Sequence, residues 1–139
     1  MTVVSAPAFA WPLRVYFEDT DAGGVVYHAA YLCFLERART EWLRTRGIEQ
    51  SQLAARHDTL FAVSKIEIAF LFPARLDDQL RVSCQAGRVG GASLWFSQDV
   101  VRVVDNQTLV TARVRAACLS AGTFRPRPIP KHLLPELCR

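Results

Sequence analysis

His28-Ala29-Ala30-Tyr31-Leu32-Cys33-Phe34-Leu35-Glu36-Arg37-Ala38-Arg39-Thr40-Glu41-Trp42-Leu43-Arg44-Thr45-Arg46-Gly47 is the stretch whose periodicity organises the chain. Tyr31, Phe34, Leu35, Ala38, Trp42 and Leu43 recur at three- and four-residue spacing, so they share one face of a helix. Glu36, Arg37, Arg39, Arg44 and Arg46 fill much of the remaining circumference. Gly47 suits the left-handed position just past a helix end. The spacing predicts a helix from about 28 to about 46, roughly 28 Å long at 1.5 Å per residue.

On either side of this stretch the period changes. Residues 13–18 read as a short strand, and residues 50–56 as a short helical piece. From 60 to 72 the chain is β-rich. Leu80, Val82, Cys84 and Ala86 alternate with Arg81, Ser83, Gln85 and Gly87. Residues 92–104 are β-branched and aromatic. Val110, Ala112, Val114, Ala116 and Cys118 alternate with Thr111, Arg113, Arg115 and Ala117. Alternation of this kind predicts antiparallel strands with one buried and one wetter face. Pro73-Ala74, Gly90-Gly91 and Asp105-Asn106 mark turns. With one long helix available, the expected architecture is α+β, a curved antiparallel sheet wrapped around one long central helix. An under-covered sheet favours pairing with a second copy.

Length and composition narrow the classes. At 139 residues, one domain (1–139) is expected, with an N-terminal extension over 1–12 and an extended Pro-rich tail over 123–139. Half the residues are hydrophobic and 22% are charged, which excludes a disordered chain. No apolar run approaches the roughly 18 residues of a membrane helix. The first ten residues carry no Lys or Arg, so no secretory signal is read and a cytoplasmic location is the default. Cys33, Cys84, Cys118 and Cys138 form no CxxC pair, and Cys84 and Cys118 read as core side chains. His28, His57 and His132 lack a metal-ligand spacing, so no metal is expected. Residues 1–70 hold 7 basic and 8 acidic side chains, and residues 71–139 hold 10 and 5. That asymmetry could serve an acidic protein or a phosphorylated ligand. For nucleic acid it lacks a recognised motif and aromatic-basic interleaving.

The loop before the long helix carries the candidate chemistry: Glu18-Asp19-Thr20-Asp21-Ala22-Gly23-Gly24-Val25-Val26-Tyr27-His28. Val25, Val26 and Tyr27 are too apolar for a free surface loop, so they should draw a carboxylate into partial burial, which makes it a better base. The helix start lacks a clear Ser, Thr, Asp or Asn cap, which leaves N–H groups for a ligand oxygen. A carboxylate beside open helix N–H groups suits acyl transfer. The N–H groups polarise a carbonyl, and the carboxylate attacks it or activates water.

The stretch Arg14-Val15-Tyr16-Phe17-Glu18-Asp19-Thr20-Asp21-Ala22-Gly23-Gly24-Val25-Val26-Tyr27-His28 closely resembles the hotdog-fold acyl-CoA thioesterases. The likeness continues through Tyr31, Phe34 and Glu36-Arg37-Ala38-Arg39-Thr40-Glu41-Trp42-Leu43. The branch it is similar to is the Tol–Pal-system-associated thioesterases, relatives of 4-hydroxybenzoyl-CoA thioesterase. The resemblance is dense from 14 to 47 and looser through the later strands. It implies a hotdog fold and hydrolysis of acyl-CoA to free acid and CoA. It implies no cofactor, since coenzyme A is part of the substrate. It carries the catalytic carboxylate onto Asp21 and the oxyanion-type donor onto the backbone N–H of His28, whose side chain is also typical of the branch. Gly24, Val26 and Tyr27 follow as substrate-binding positions. It further implies a homodimer, often paired into a tetramer, with the site at the subunit boundary. A second reading keeps the fold but only binds acyl-CoA or an acidic acyl carrier protein.

Overall fold

The computed structural model describes residues 8–138; residues 1–7 of the expected N-terminal extension, and Arg139 of the tail, lie outside the described residues. The chain runs β1 (Ala10–Arg14), a 3-10 turn (Phe17–Asp19), α1 (Ala30–Thr45), α2 (Gln50–His57), β2 (Thr59–Phe70), β3 (Gln79–Ser83), β4 (Gln85–Gly90), β5 (Ser93–Arg102), β6 (Gln107–Ser120) and α3 (Leu134–Leu137).

The six strands form one sheet in the order β1-β3-β5-β6-β2, with β4 also on β5, and every pairing is antiparallel. The hairpin β5–β6 is its spine, paired from Ser93↔Ala117 to Arg102↔Gln107 with one register shift between Val100 and Val101. The predicted alternation holds there. Leu94, Phe96, Val100, Val110, Val114 and Cys118 are all buried. The run expected as one strand from 80 to 86 breaks at Cys84 into β3 and β4. Residues 13–18 are not one strand either. β1 ends at Arg14, and the Asp19 carboxylate accepts the Tyr16 N–H at 2.9 Å, folding the chain into the 3-10 turn. Tyr16 is exposed in consequence.

The expected sheet wrapped around one long helix is corrected. The architecture is α+β, with a six-stranded sheet and helices of 16, 8 and 4 residues. α1 is about 24 Å long. It begins at Ala30 rather than His28, because the Ala30 N–H reaches the Tyr27 carbonyl at 2.8 Å and turns His28 and Ala29 outside the helix.

Nor does α1 cover the sheet alone, because the core divides in two. Tyr31, Phe34, Leu35 and Ala38 pack with Val15, Val26, Leu80 and Val110 in one cluster. Trp42 and Leu43 pack in the other with Leu94, Phe96 and Val114. That second cluster is completed by Leu53 of α2 and by Ile129, Leu133 and Leu137 of the C-terminal segment. The segment read as an extended surface tail thus ends in a docked helical turn. Its path is set by Arg127, whose guanidinium donates to the His57 carbonyl at 2.9 Å and whose N–H donates to the Cys118 carbonyl at 3.0 Å.

Leu137 is fully buried, so Leu137→Ala should lower unfolding free energy by about 2–4 kcal/mol. Denaturant unfolding checks this, and a change within about 0.5 kcal/mol would mean that the C-terminal turn is not docked in solution.

Candidate active site

The acidic loop is a small closed hairpin. The Tyr27 N–H donates to the Asp19 carbonyl at 2.8 Å, and the Asp21 N–H to the Val25 carbonyl at 2.9 Å. The tip is a tight turn in which the Gly24 N–H reaches the Asp21 carbonyl at 3.0 Å. Gly24 has φ +79°, a conformation that costs a side chain about 1–2 kcal/mol. The Gly23 N–H donates to Asp21 Oδ1 at 2.8 Å and fixes the carboxylate's orientation.

The apolar residues of the loop divide. Val26 is buried, and its N–H donates to the Ala74 carbonyl at 2.9 Å; Tyr27 is half exposed. The carboxylate drawn into partial burial is Asp19, which caps the 3-10 turn, whereas Asp21 is exposed. The expected burial therefore falls on a structural carboxylate. What distinguishes Asp21 is its place at the mouth of a cavity.

That cavity measures about 330 Å³. Asp21, Val26 and His28 of the expected set line it. Gly24 and Tyr27 do not. Gly24 shapes the turn, and the Tyr27 ring lies 4.6 Å from the His28 ring, bracing it. The far wall is the run Phe70-Leu71-Phe72-Pro73, with Tyr31 also contributing. Phe70 stands edge-on to His28 at 6.4 Å and is 5.7 Å from Tyr31.

This wall was missed as a functional surface. Its signal is the unbroken apolar run Ile68-Ala69-Phe70-Leu71-Phe72, which breaks the alternation just before Pro73. Tyr31 was expected on the apolar face of the helix, with no role at the site. It is buried, and its hydroxyl accepts the Ala74 N–H at 3.0 Å, joining the first turn of α1 to the wall. Burial pushes the Tyr31 hydroxyl pKa up, and the Ala74 N–H only partly offsets this. On the other side, the Arg102 guanidinium donates to the Pro73 carbonyl at 3.2 Å while Asp105 holds it at 2.9 Å.

The N-terminus of α1 carries no side-chain cap: Ala29 occupies that position. The first-turn N–H of Ala30 is satisfied by Tyr27 and that of Leu32 by Ala29. The N–H groups of His28 and Ala29 have no partner among the described residues. Open donors beside a helix N-terminus attract anionic oxygen. No group of three or more His, Cys, Asp or Glu side chains able to hold a metal occurs among the described residues. A larger cavity of about 630 Å³ opens over the sheet beside Phe9, Glu67, Gln98 and Arg113, away from this loop. It contains none of the expected site residues and no helix end.

Fold and site define a class: an α+β protein presenting a carboxylate and open helix donors to an apolar pocket, the equipment of acyl transfer. The chain belongs to the thioesterase-like superfamily, whose profile it matches over residues 15–137. It is 44% identical to the acyl-CoA thioester hydrolase YbgC of Escherichia coli O6:H1, over 92% of this chain and 94% of that one. A probable thioesterase from Bartonella henselae superposes with a TM-score of 0.83 at 36% identity, covering 89% of this chain and 100% of that one. The 1,4-dihydroxy-2-naphthoyl-CoA thioesterase of Synechocystis shares the fold, with a TM-score of 0.86 at 22% identity over 95% and 96% of the two chains.

Nothing lies within 4 Å of a Cβ built on Gly24, so Gly24→Ala carries only the backbone cost. Denaturant unfolding should show a loss of about 1–2 kcal/mol. An unchanged midpoint would contradict the turn geometry that aims Asp21.

Proposed function

We propose that the chain hydrolyses acyl-CoA thioesters, with the thioester carbonyl seated between Asp21 and the first turn of α1. The observation that carries this reading is the convergence of Asp21 and His28 on one apolar cavity at an uncapped helix start. The kinship with YbgC thioesterases supports it.

The carbonyl oxygen accepts from the backbone N–H of His28, and the helix dipole stabilises the charge that develops there. Asp21 then has two routes. As a nucleophile its carboxylate attacks the carbonyl carbon, the C–S bond breaks, CoA leaves as thiolate, and water cleaves the resulting anhydride. As a base it takes a proton from water, whose oxygen attacks the same carbon, and CoA again leaves. Both routes end in free acid and CoA, and neither needs a cofactor. Gly23 holds Oδ1, leaving Oδ2 to act. Val26, Phe70 and Phe72 offer the acyl group an apolar wall, Gly24 shapes the turn, and Tyr27 braces the His28 ring.

A homodimer, with dimers paired into tetramers, belongs to the same proposal. The 12-residue β2 lies at the sheet edge, where Val63 and Phe70 are exposed. An unpaired edge of this length is a template for a second copy. An acyl carrier protein as an alternative acyl donor is supported by the basic excess of residues 71–139. No helix among the described residues is long and apolar enough to cross a membrane.

Thiol release from a panel of short aliphatic to aromatic acyl-CoAs tests the proposal. Asp21→Asn should lower kcat at least about 10²-fold with little change in KM. Equal turnover by both proteins would remove Asp21 from the chemistry. Ligand binding without release from any thioester would favour a binding module.

A further inference from the structure

Midway along α1 lies a buried cation with no direct ion-pair partner. Arg39 sits on the buried face of the helix, 9% exposed. Its single hydrogen bond among the described residues runs from Nη1 to the neutral Gln98 Oε1 at 3.0 Å. Gln98 is itself fixed, since its amide donates to the carbonyls of Leu35 at 3.0 Å and Ser83 at 3.3 Å. Burial lowers the Arg39 pKa, the expected consequence of a desolvated cation.

Two ionisable groups lie near it, and neither forms a direct ion pair with it. Cys84 stays a neutral thiol, because burial pushes its pKa up to about 12. Glu36 is exposed, accepts the Thr40 hydroxyl at 2.9 Å, and makes no ion pair with Arg39 within 4.0 Å. Glu36 offsets part of the cost of burying this charge by attraction without contact, and a direct partner on the free side of the guanidinium would offset more.

Arg39 lines a cavity of about 130 Å³ between α1, the start of α2 and the sheet. One side is polar, with Glu36, Thr40 and Gln50. The other is apolar, with Leu43, Phe61, Val63, Phe96 and Ala116, so the cavity borders the β2 edge proposed to meet a second copy. The volume is that of about four waters at liquid density, enough for a carboxylate with a short alkyl tail.

We propose that this cavity binds a small monocarboxylate, its carboxylate on the Arg39 guanidinium and its alkyl tail against Phe61, Phe96 and Ala116. Arg is suited to the role by its planar fork of donors, of which only one nitrogen is engaged. The apolar wall selects an alkyl acid over phosphate or chloride. Within one chain the site shares no lining residue with the Asp21 cavity. If the thioesterase reading holds, its ligand belongs to the same chemical class as the released acid, and a free short-chain acid can then occupy the enzyme away from the reacting centre.

Titration of the full chain with 13C-labelled propionate, followed by NMR, tests this. Wild type should bind saturably, and n-propanol and propylamine should not compete. Arg39→Met should weaken propionate at least about tenfold, the loss of a charged hydrogen-bonded pair. Ala116→Val should weaken it comparably by filling the tail's space while keeping the cation. Having two variants keeps the test decisive if one fails to fold, which thermal unfolding reports. Asp21→Asn should bind propionate like wild type whatever its turnover, so failure here is distinct from failure of the thioesterase reading. Absence of saturable binding, or binding untouched by both Arg39→Met and Ala116→Val, would overturn the proposal.

Discussion

The peptide backbone at Ala74 is held from two directions. Its N–H donates to the Tyr31 hydroxyl on the first turn of α1, and its carbonyl accepts the Val26 N–H of the acidic loop. Ala74 is fully buried, so both bonds lie where an unmade one would cost the desolvation of a polar group. Through this residue the loop carrying Asp21, the helix start carrying His28, and the wall of Phe70 and Phe72 hold one mutual position. Arg102 fixes the same wall one residue earlier, at the Pro73 carbonyl. The cavity exists because these pieces are tied together, and its chemistry depends on that spacing.

The two halves of α1 then have different work. The N-terminal half packs into the cluster that includes Val15, Val26 and Ala74 and supports the cavity. The C-terminal half packs with α2 and the tail, where Trp42 stands edge-on to Phe96 at 5.6 Å and Leu137 closes the cluster. Buried polar contacts bridge helix and sheet between these halves: Gln98 ties β5 to Leu35 on α1 and to Ser83 at the end of β3, and it also receives Arg39. A neutral amide serves that bridging better than a carboxylate, since it donates to two carbonyls while accepting from a guanidinium.

Periodicity made the helix face and the strand alternation legible, because both are consequences of which side chains leave water. Tyr31, Phe34, Leu35, Ala38, Trp42 and Leu43 are all buried, as their spacing demands. The acidic loop was legible from composition, and its likeness to known thioesterases placed attention on Asp21 and His28. Departures came where backbone hydrogen bonds decide. Nothing in the residue pattern marks that the Ala30 N–H would take the Tyr27 carbonyl, or that the Asp19 carboxylate would fold residues 17–19 into a 3-10 turn. Partial burial was expected of a carboxylate in this loop and fell on Asp19. The tail misled because its prolines suggest an extended chain, while Ile129, Leu133 and Leu137 are spaced four apart and dock into the core. That docking removes the reason for wrapping the sheet around one helix.

The central claim is that Asp21 and the open N–H groups of His28 and Ala29, just before α1, address one carbonyl. A crystal structure of the chain with a non-hydrolysable acyl-CoA, its thioester replaced by a ketone of the same length, tests it most directly. The account predicts the ketone oxygen about 3 Å from the His28 N–H, with the carbonyl carbon facing Asp21 and the alkyl group against Phe70 and Phe72. A ketone bound away from α1, with Asp21 facing solvent, would contradict it.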